Sequence, residues 1–94
     1  MTESAQEEVE IVDSKDASRY EIRLDGQLAG FADYRLEGDV ITFTHTETDP
    51  AFGGRGLGSK LVAFAVTDVR SRNLRIVPQC PFVAAWIKDH EEGS

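Results

Sequence analysis

The sequence predicts an α+β domain with a mainly antiparallel sheet, a final βαβ crossover and a C-terminal helix. Two observations predict this class. Polar and apolar residues alternate with a period of two in the first half of the chain, and apolar residues recur at helical spacing in the second half. A chain of 94 residues has room for one domain. We expect residues 1–8 to be a mobile acidic tail and residues 9–94 to form that domain.

The first half predicts a meander of antiparallel strands. A short strand is expected over residues 9–12, and the alternation of Tyr20, Ile22 and Leu24 with charged residues predicts the next one. Asp25-Gly26 is typical of a tight hairpin turn. Residues 28–36 and 40–48 then read as the third and fourth strands, the last being rich in Thr, Ile, Val and Phe.

The second half predicts a strand–loop–helix–strand–helix order. Pro50 ends the fourth strand, and a glycine cluster at 53–58 precedes an apolar helical pattern that runs from Leu57 to about Arg72. Residues 75–77 form a short strand. Pro81 suits the first turn of a second helix.

The net charge of −7 is unevenly distributed along the chain. Residues 1–13 contain five acidic residues and no basic one, whereas residues 53–75 contain five basic residues against one acidic residue. An acidic chain lacks the broad basic face typical of nucleic-acid binders, so we expect no nucleic-acid partner. The local basic segment instead suits a compact polyanion such as a nucleotide phosphate.

Composition also bears on location. No apolar run approaches the roughly 20 residues of a membrane helix, and the acidic N-terminus lacks the basic region of a signal peptide. The single cysteine, Cys80, excludes an internal disulfide and fits a reducing compartment. We therefore expect a cytoplasmic protein without a membrane partner, either a monomer or a weak dimer.

The glycine cluster is a candidate phosphate-binding loop. Glycine allows a ligand to approach the backbone closely, and the first-turn amides of the following helix have no intrahelical acceptor. These amides and the helix dipole favour a pyrophosphate, with Arg55 and Lys60 nearby to supply charge. A flexible strand-to-helix connection is the alternative interpretation. The order Gly58-Ser59-Lys60 does not match a Walker loop, and the glycine spacing does not match a dinucleotide fingerprint.

The second half of the chain resembles the acyl-coenzyme A site of the GNAT superfamily of N-acetyltransferases. It has the same order of a strand, a glycine loop at the start of an amphipathic helix, and a further short strand. Gly56 and Gly58 match the two glycine positions of the superfamily's loop, whereas Gly53 stands where Arg or Gln is usual. The segments 45–47 (His-Thr-Glu) and 78–83 (Pro-Gln-Cys-Pro-Phe-Val) resemble the small stand-alone GNAT-like group, the YjdJ type. Together with the loop, these segments cover residues 45–90.

This resemblance implies a minimal GNAT-like fold and direct transfer of an acetyl group from acetyl-CoA to an amine, possibly one on a protein or peptide. It also implies residues that hold coenzyme A, and we expect these to be Thr48, Gly53, Gly54, Arg55, Gly56, Leu57, Gly58, Ser59 and Cys80. The chemistry needs a base for the acceptor amine and stabilisation of the oxyanion and the leaving thiolate.

The fourth strand supplies two candidate bases. Strict alternation predicts that Ile41, Phe43, His45 and Glu47 share one face, with Glu47 and His45 at the rim of a site. Glu47 is the first candidate for the general base, directly or through a water, and partial burial would favour that role. His45 is the second, because imidazole titrates near neutral pH. A solvated strand end and a hydrogen-bonded structural histidine are the alternatives. Two distant histidines and one cysteine predict no metal site.

Cys80 lies between two prolines at a strand-to-helix turn. A thiol facing the helix N-terminus would have a lowered pKa and act as an acyl-accepting nucleophile or as an acid for the leaving thiolate. The alternative is a small buried apolar residue. In either case we expect Cys80 close to the sulfur of the cofactor.

The short chain leaves a second function open. Larger GNAT enzymes insert helices between the first two strands, and here residues 12–20 leave room only for a loop. An open acceptor side suits an amine on a protein or peptide, or no acceptor at all. The alternative is therefore a CoA-binding or protein-interaction module of GNAT fold without efficient turnover.

Overall fold

The structure is a computed structural model that describes residues 8–52 and 56–92. Its elements are β1 (Val9–Ser14), β2 (Arg19–Leu24), β3 (Gln27–Glu37), β4 (Val40–Thr48), a 3₁₀ helix (Pro50–Phe52), α1 (Leu57–Ser71), β5 (Arg75–Pro78) and α2 (Pro81–Glu92). The predicted α+β class and element order are confirmed. Of the predicted tail, residues 1–7 lie outside the described part of the chain. Glu8 exchanges hydrogen bonds with Asp25 at the end of β2.

The five strands form one sheet in the order β1-β2-β3-β4-β5. The first four pair antiparallel through hairpins, and β5 pairs parallel with β4 after α1, which completes the predicted βαβ crossover. The turn between β2 and β3 has positive φ at both Asp25 (51°) and Gly26 (83°). A type I′ turn requires this combination, which explains why an Asp-Gly pair stands there.

The core lies on one face of the sheet, under the two helices. α1 buries a stripe made of Leu57, Leu61, Val62, Ala65, Val66 and Val69, as its helical spacing predicts. This stripe packs against the apolar side chains of β2 to β4, and Val83 of α2 joins the same cluster, as does Cys80 just before α2. Among the described residues, the opposite face of the sheet carries no helix. β1 and β2 are joined only by a turn over residues 15–18.

A β-bulge in β4 reverses the alternation that the sequence predicts. Phe43 pairs with Tyr34 and His45 pairs with Asp33, so Thr44 is an extra residue in β4. Beyond the bulge, Thr46 lies opposite the buried Ala32 and takes the core side. The expected common face of Phe43, His45 and Glu47 is therefore wrong, because the inserted residue moves the two candidate bases to the helix-free face.

β4 and β5 stay together over only four residue pairs, the last being Phe43 with Pro78. Beyond this point β4 continues to Thr48 while the chain after β5 turns into α2. The backbone N–H of Cys80 donates to the carbonyl oxygen of Phe43 at 2.9 Å, which closes the paired part of the two strands. The strands therefore diverge directly beside Cys80.

Arg72, at the end of α1, belongs to a structural network. Its guanidinium contacts carboxylate oxygens of Asp13 at 3.2 Å and Asp68 at 3.1 Å, and donates to the hydroxyl of Tyr20 at 2.9 Å. The Tyr20 hydroxyl donates to Asp68 at 2.6 Å, and burial together with this bond raises the pKa of Tyr20. Arg72 therefore ties α1 to β1 and β2, about 20 Å along α1 from the glycine loop.

No helix among the residues that the structure describes is long and apolar enough to cross a membrane.

Candidate functional site

Cys80 lies against β4 at the point where β4 and β5 diverge. Its thiol donates to Oγ1 of Thr46 at 3.3 Å, and the residue is 5% exposed. Thr46 reaches it because the bulge turns this side chain to the core side of β4. Strict alternation in β4 does not single out Thr46, because it puts this residue on the opposite face from the candidate bases and indicates no partner for it.

The surroundings of Cys80 favour its thiolate. Burial alone raises the pKa of the thiol, but hydrogen bonds from Thr46 and from the backbone amides of Val83 and Phe82 outweigh burial and bring the pKa below its ordinary value. These two amides belong to the first turn of α2, where backbone N–H groups lack intrahelical acceptors. Cys80 is thus a buried cysteine with a stabilised thiolate, and it combines features of both sequence-based alternatives.

His45 and Glu47 form a pair on the helix-free face. His45 Nε2 lies 3.2 Å from Glu47 Oε1, and the two side chains are 59% and 62% exposed. The partial burial expected for Glu47 is therefore not observed. The ring of Phe31, opposite Glu47 on β3, lies 6.1 Å from the His45 ring and shields one side of the pair. Both groups are available to a molecule that approaches this face.

The start of α1 presents backbone donors without a side-chain cap. Gly56 is the N-cap residue with φ 67° and ψ 27°, a left-handed conformation, and no side chain in residues 8–52 or 56–92 bonds to the cap. The first-turn amides, which begin at Leu57, therefore have no partner from the helix itself. Ser59 is exposed beside them. The predicted loop residues Gly53, Gly54 and Arg55 lie outside the described part of the chain.

Gly58 has a packing role that the sequence analysis did not anticipate. A Cβ built on Gly58 would lie 2.9 Å from Cζ of Phe82. The Phe82 ring is 44% exposed and lies across the first turn of α1. The absence of a side chain at Gly58 thus leaves space for the tip of the Phe82 ring at the start of α1.

Thr48, the last residue of β4, pairs with Gly30 of β3. A Cβ on Gly30 would lie 2.8 Å from the carbonyl oxygen of Glu47 and 3.0 Å from Cγ2 of Thr48. Gly30 therefore sets how closely β3 approaches the end of β4. Nothing in the sequence pattern singles this glycine out, because the contact is made between distant segments.

The structure divides the predicted site residues into two groups across β4. Cys80 and the start of α1 lie on the helix side, whereas His45 and Glu47 lie on the helix-free side. A ligand that passes between the diverging ends of β4 and β5 would contact both groups. The donor set at the helix side is suited to an anion, because no described side chain accepts a hydrogen bond from the first-turn amides of α1.

Comparison with protein families identifies the relatives of the chain. The model of the family described as GCN5-related N-acetyl-transferase matches residues 19–94. A GCN5-like protein from Staphylococcus aureus, solved by NMR, has a similar structure, with a TM-score of 0.66 and 25% identity, and the match covers 88% of this chain and 81% of that one. Among curated proteins, no sequence matches.

A second similar structure is the ribosomal-protein-alanine N-acetyltransferase from Brucella melitensis biovar Abortus 2308. The TM-score is 0.59 at 21% identity, over 79% of this chain, so the likeness concerns the fold. The match spans 58% of the length of the Brucella protein.

Proposed function

Because the chain belongs to the GCN5-related N-acetyltransferase family, whose model matches residues 19–94, we propose that it transfers the acetyl group of acetyl-CoA directly to an amine. Acetyl-CoA supplies the activated acetyl group. The observation that carries the proposal is the uncapped start of α1 beside the point where β4 and β5 diverge. We further propose that the chain is one of the small YjdJ-type proteins, which the segments 45–47 and 78–83 support.

The start of α1 would hold the pyrophosphate of coenzyme A. Gly56 directs the chain into α1 with free first-turn amides, and the helix dipole adds positive potential at the same end. The predicted ligands Gly53, Gly54 and Arg55 precede these amides in sequence, and Arg55 would add charge. Leu57 is buried and anchors the start of α1 to the core. Ser59 is exposed and its hydroxyl would donate to a phosphate oxygen.

Glu47 would take the proton of the acceptor ammonium, so that the free amine attacks. Its carboxylate is exposed on the helix-free face, and His45 at 3.2 Å holds it in place. His45 is the second candidate for the base, since the two groups contact each other and either accepts a proton. Thr48, directly after Glu47 at the end of β4, would contact the pantetheine arm through its backbone.

Cys80 would lie near the sulfur of the thioester. Its thiol would protonate the leaving thiolate, and its hydrogen bonds to Thr46 and the α2 amides stabilise the charge that it then carries. A covalent acetyl-cysteine is the competing role for the same sulfur. Acetyl label that stays on Cys80 after denaturation would support this covalent route and contradict direct transfer.

The helix-free face supports a second candidate function. His45 and Glu47 stand on an open surface, without the helices that wall the acceptor side in larger relatives of this fold. A CoA-binding or protein-interaction module without efficient turnover would have the same surface. The free Cys80 fits a reducing compartment, so we propose the cytoplasm as its location.

Titration of acetyl-CoA into the isotopically labelled chain tests the cofactor assignment. The amide resonances of Gly56, Gly58 and Ser59 are expected to shift first, because these residues form the start of α1. No shift at roughly millimolar ligand, the weakest binding that such a titration reads, would exclude the assignment. Acetyl transfer to a panel of lysine peptides and polyamines then separates the two functions. Binding without transfer to any acceptor would support the module.

A further inference from the structure

A cavity of about 310 Å³ lies where the start of β3 meets the end of β4. Its lining residues include Leu28 and Phe31 on β3, Glu47 on β4, and Asp49 and Pro50 after β4. Ligand pockets start at about this volume, and the cavity therefore has room for a small molecule or a single side chain. Glu47 and Thr48, which have proposed roles, line it, but those roles do not account for its apolar wall or for Asp49.

The walls of the cavity combine two acids with an apolar surface. Glu47 and Asp49 are its only charged lining residues among those described, and no basic residue lines it. Asp49 is held by two hydrogen bonds, from the Ala51 amide to Oδ1 at 2.9 Å and from its own amide to the Ala29 carbonyl at 2.8 Å. Two carboxylates in one cavity favour a ligand with two positive charges.

The two large apolar residues that line the cavity are only partly buried. Leu28, the second residue of β3, pairs with Arg23 next to the turn and is 41% exposed. Phe31 is half-buried under the guanidinium of Arg19, whose Cζ lies 4.7 Å from the ring centroid. Arg19 is itself paired with Glu21 at 2.8 Å. The side chains of Leu28 and Phe31 thus offer the methylene groups of a ligand an apolar contact beside the two acids.

The cavity opens toward the proposed base. Phe31 pairs with Glu47 across β3 and β4, so both side chains lie on the helix-free face. The divergence of β4 and β5, where the thioester would lie, is on the other edge of β4. A molecule in the cavity therefore reaches Glu47 from the side opposite to acetyl-CoA, which is the arrangement that a direct transfer needs.

We propose that this cavity is the acceptor site and that the acceptor is a linear aliphatic diamine or polyamine. The inference rests on the proposed function. One ammonium group lies at Glu47, the methylene chain contacts Leu28 and Phe31, and the second ammonium group lies at Asp49. Glu47 takes one proton from the reacting ammonium, and the amine nitrogen then forms the C–N bond as the C–S bond of the thioester breaks. Of the two protons that remain on this nitrogen, the product amide keeps one, and the other replaces the proton that the Cys80 thiol gives to the leaving thiolate of coenzyme A.

Charge also explains the release of the product. Acetylation converts one ammonium group into a neutral amide, so the product retains a single positive charge. The attraction of Glu47 for that end of the molecule is then lost. Monoacetylated diaminobutane is therefore expected to bind several-fold more weakly than diaminobutane, in line with the small energy of an exposed ion pair.

Amide titrations of the wild-type chain with diaminobutane and with aminobutanol test the inference directly. These probes share a chain and one ammonium group and differ in the second charge. Diaminobutane is expected to shift the amides of Gly30, Phe31 and Asp49, and to bind about fivefold more tightly than aminobutanol. Shifts elsewhere, or equal affinities, would overturn the inference. Binding of a lysine peptide with no binding of diaminobutane would overturn it as well.

A matched pair of variants locates the site independently. Leu28→Lys adds a positive charge at the cavity, and Leu36→Lys adds the same charge at a 45% exposed leucine farther along the same strand. Leu28→Lys is expected to weaken diaminobutane binding about tenfold, with Leu36→Lys close to wild type. Equal effects would contradict the assignment. Acetyl-CoA shifts at Gly56 and Gly58 are read separately, so a failed acceptor site is distinguished from a failed cofactor site.

Discussion

The thiol of Cys80 donates a hydrogen bond of 3.3 Å to Thr46 across the point where β4 and β5 diverge. This contact joins the turn before α2 to the bulged end of β4. It therefore links the only cysteine of the chain to the strand that carries both candidate bases. The same hydroxyl is able to donate to the sulfur once the thiol has lost its proton.

Replacing Thr46 by Val is expected to raise the pKa of Cys80. Burial, which raises the pKa, is retained in the variant, whereas the Thr46 side-chain hydrogen bond that lowers it is lost. The titration of the cysteine carbon resonance, measured by NMR with labelled cysteine, moves to higher pH. Thr46→Ser keeps the hydroxyl and is expected to restore the wild-type titration. An unchanged titration in Thr46→Val would show that the backbone hydrogen bonds of Val83, Phe82 and Thr46 lower the pKa without the Thr46 hydroxyl.

Replacing Gly56 by Ala is expected to affect both stability and acetyl-CoA binding. Its φ of 67° is left-handed, which costs a residue with a side chain roughly 1 kcal/mol. Gly38, in the turn between β3 and β4, has φ 60° and equally open surroundings. Gly38→Ala is therefore a control with the same strain.

The two glycine variants are compared by denaturant unfolding and by acetyl-CoA titration. Both are expected to lose similar free energy of unfolding, about 1 kcal/mol. Only Gly56→Ala is expected to bind acetyl-CoA more weakly, because the methyl group stands at the start of α1. Equal acetyl-CoA affinities in the two variants would argue that the first-turn amides do not hold the pyrophosphate.

Replacing Glu47 by Gln is expected to lower the rate of acetyl transfer by about 100-fold, the usual contribution of a general base. Acetyl-CoA binding is expected to stay at the wild-type level, because Glu47 lies on the helix-free side of β4. Glu37→Gln, at the exposed far end of β3, removes the same charge and serves as the control. If Glu47→Gln keeps its rate and His45→Gln loses it, the histidine is the base.

Lowering the pH is expected to reduce the free energy of unfolding, because the carboxylate of Glu21 becomes protonated. Hydrogen bonds from Arg23 at 2.7 Å and Arg19 at 2.8 Å lower the pKa of this carboxyl, which is only 7% exposed. Because the pKa of Glu21 is lower in the folded state, its ionised carboxylate stabilises the protein at pH values above the ordinary pKa of 4.5. This stability is lost as the pH falls through the folded-state pKa. Stability at neutral pH is therefore expected to exceed that of Glu21→Gln by roughly 1–2 kcal/mol.

The pH dependence of the Glu21→Gln effect on stability tests whether the charge of Glu21 is responsible. The difference in free energy of unfolding between wild type and Glu21→Gln is expected to shrink between neutral pH and an acidic pH below the lowered pKa of Glu21, because both side chains are neutral there. Urea unfolding at the two pH values measures it. A difference that stays constant with pH would assign the effect to packing of the glutamine rather than to charge.

Prediction from sequence succeeded where the signal was local. The alternation of Tyr20, Ile22 and Leu24 and the helical stripe of α1 each depend on neighbouring residues, and both are confirmed. The faces predicted from the alternation in β4 are wrong beyond Phe43. The reason is the bulge at Thr44, which is defined by the pairing with β3 and leaves no trace in the pattern of β4 itself.

The amino-acid sequence by itself determined the element order, the βαβ crossover and the glycine loop at the head of α1. These features follow from turn residues, periodicity and the conformational freedom of glycine, which act over a few residues. The tertiary structure alone decided which side of β4 presents Glu47 and His45, that Thr46 contacts Cys80, and that Leu28 and Asp49 share a cavity. These relationships join residues far apart in the chain, and only the register between strands and the packing of α2 bring them together.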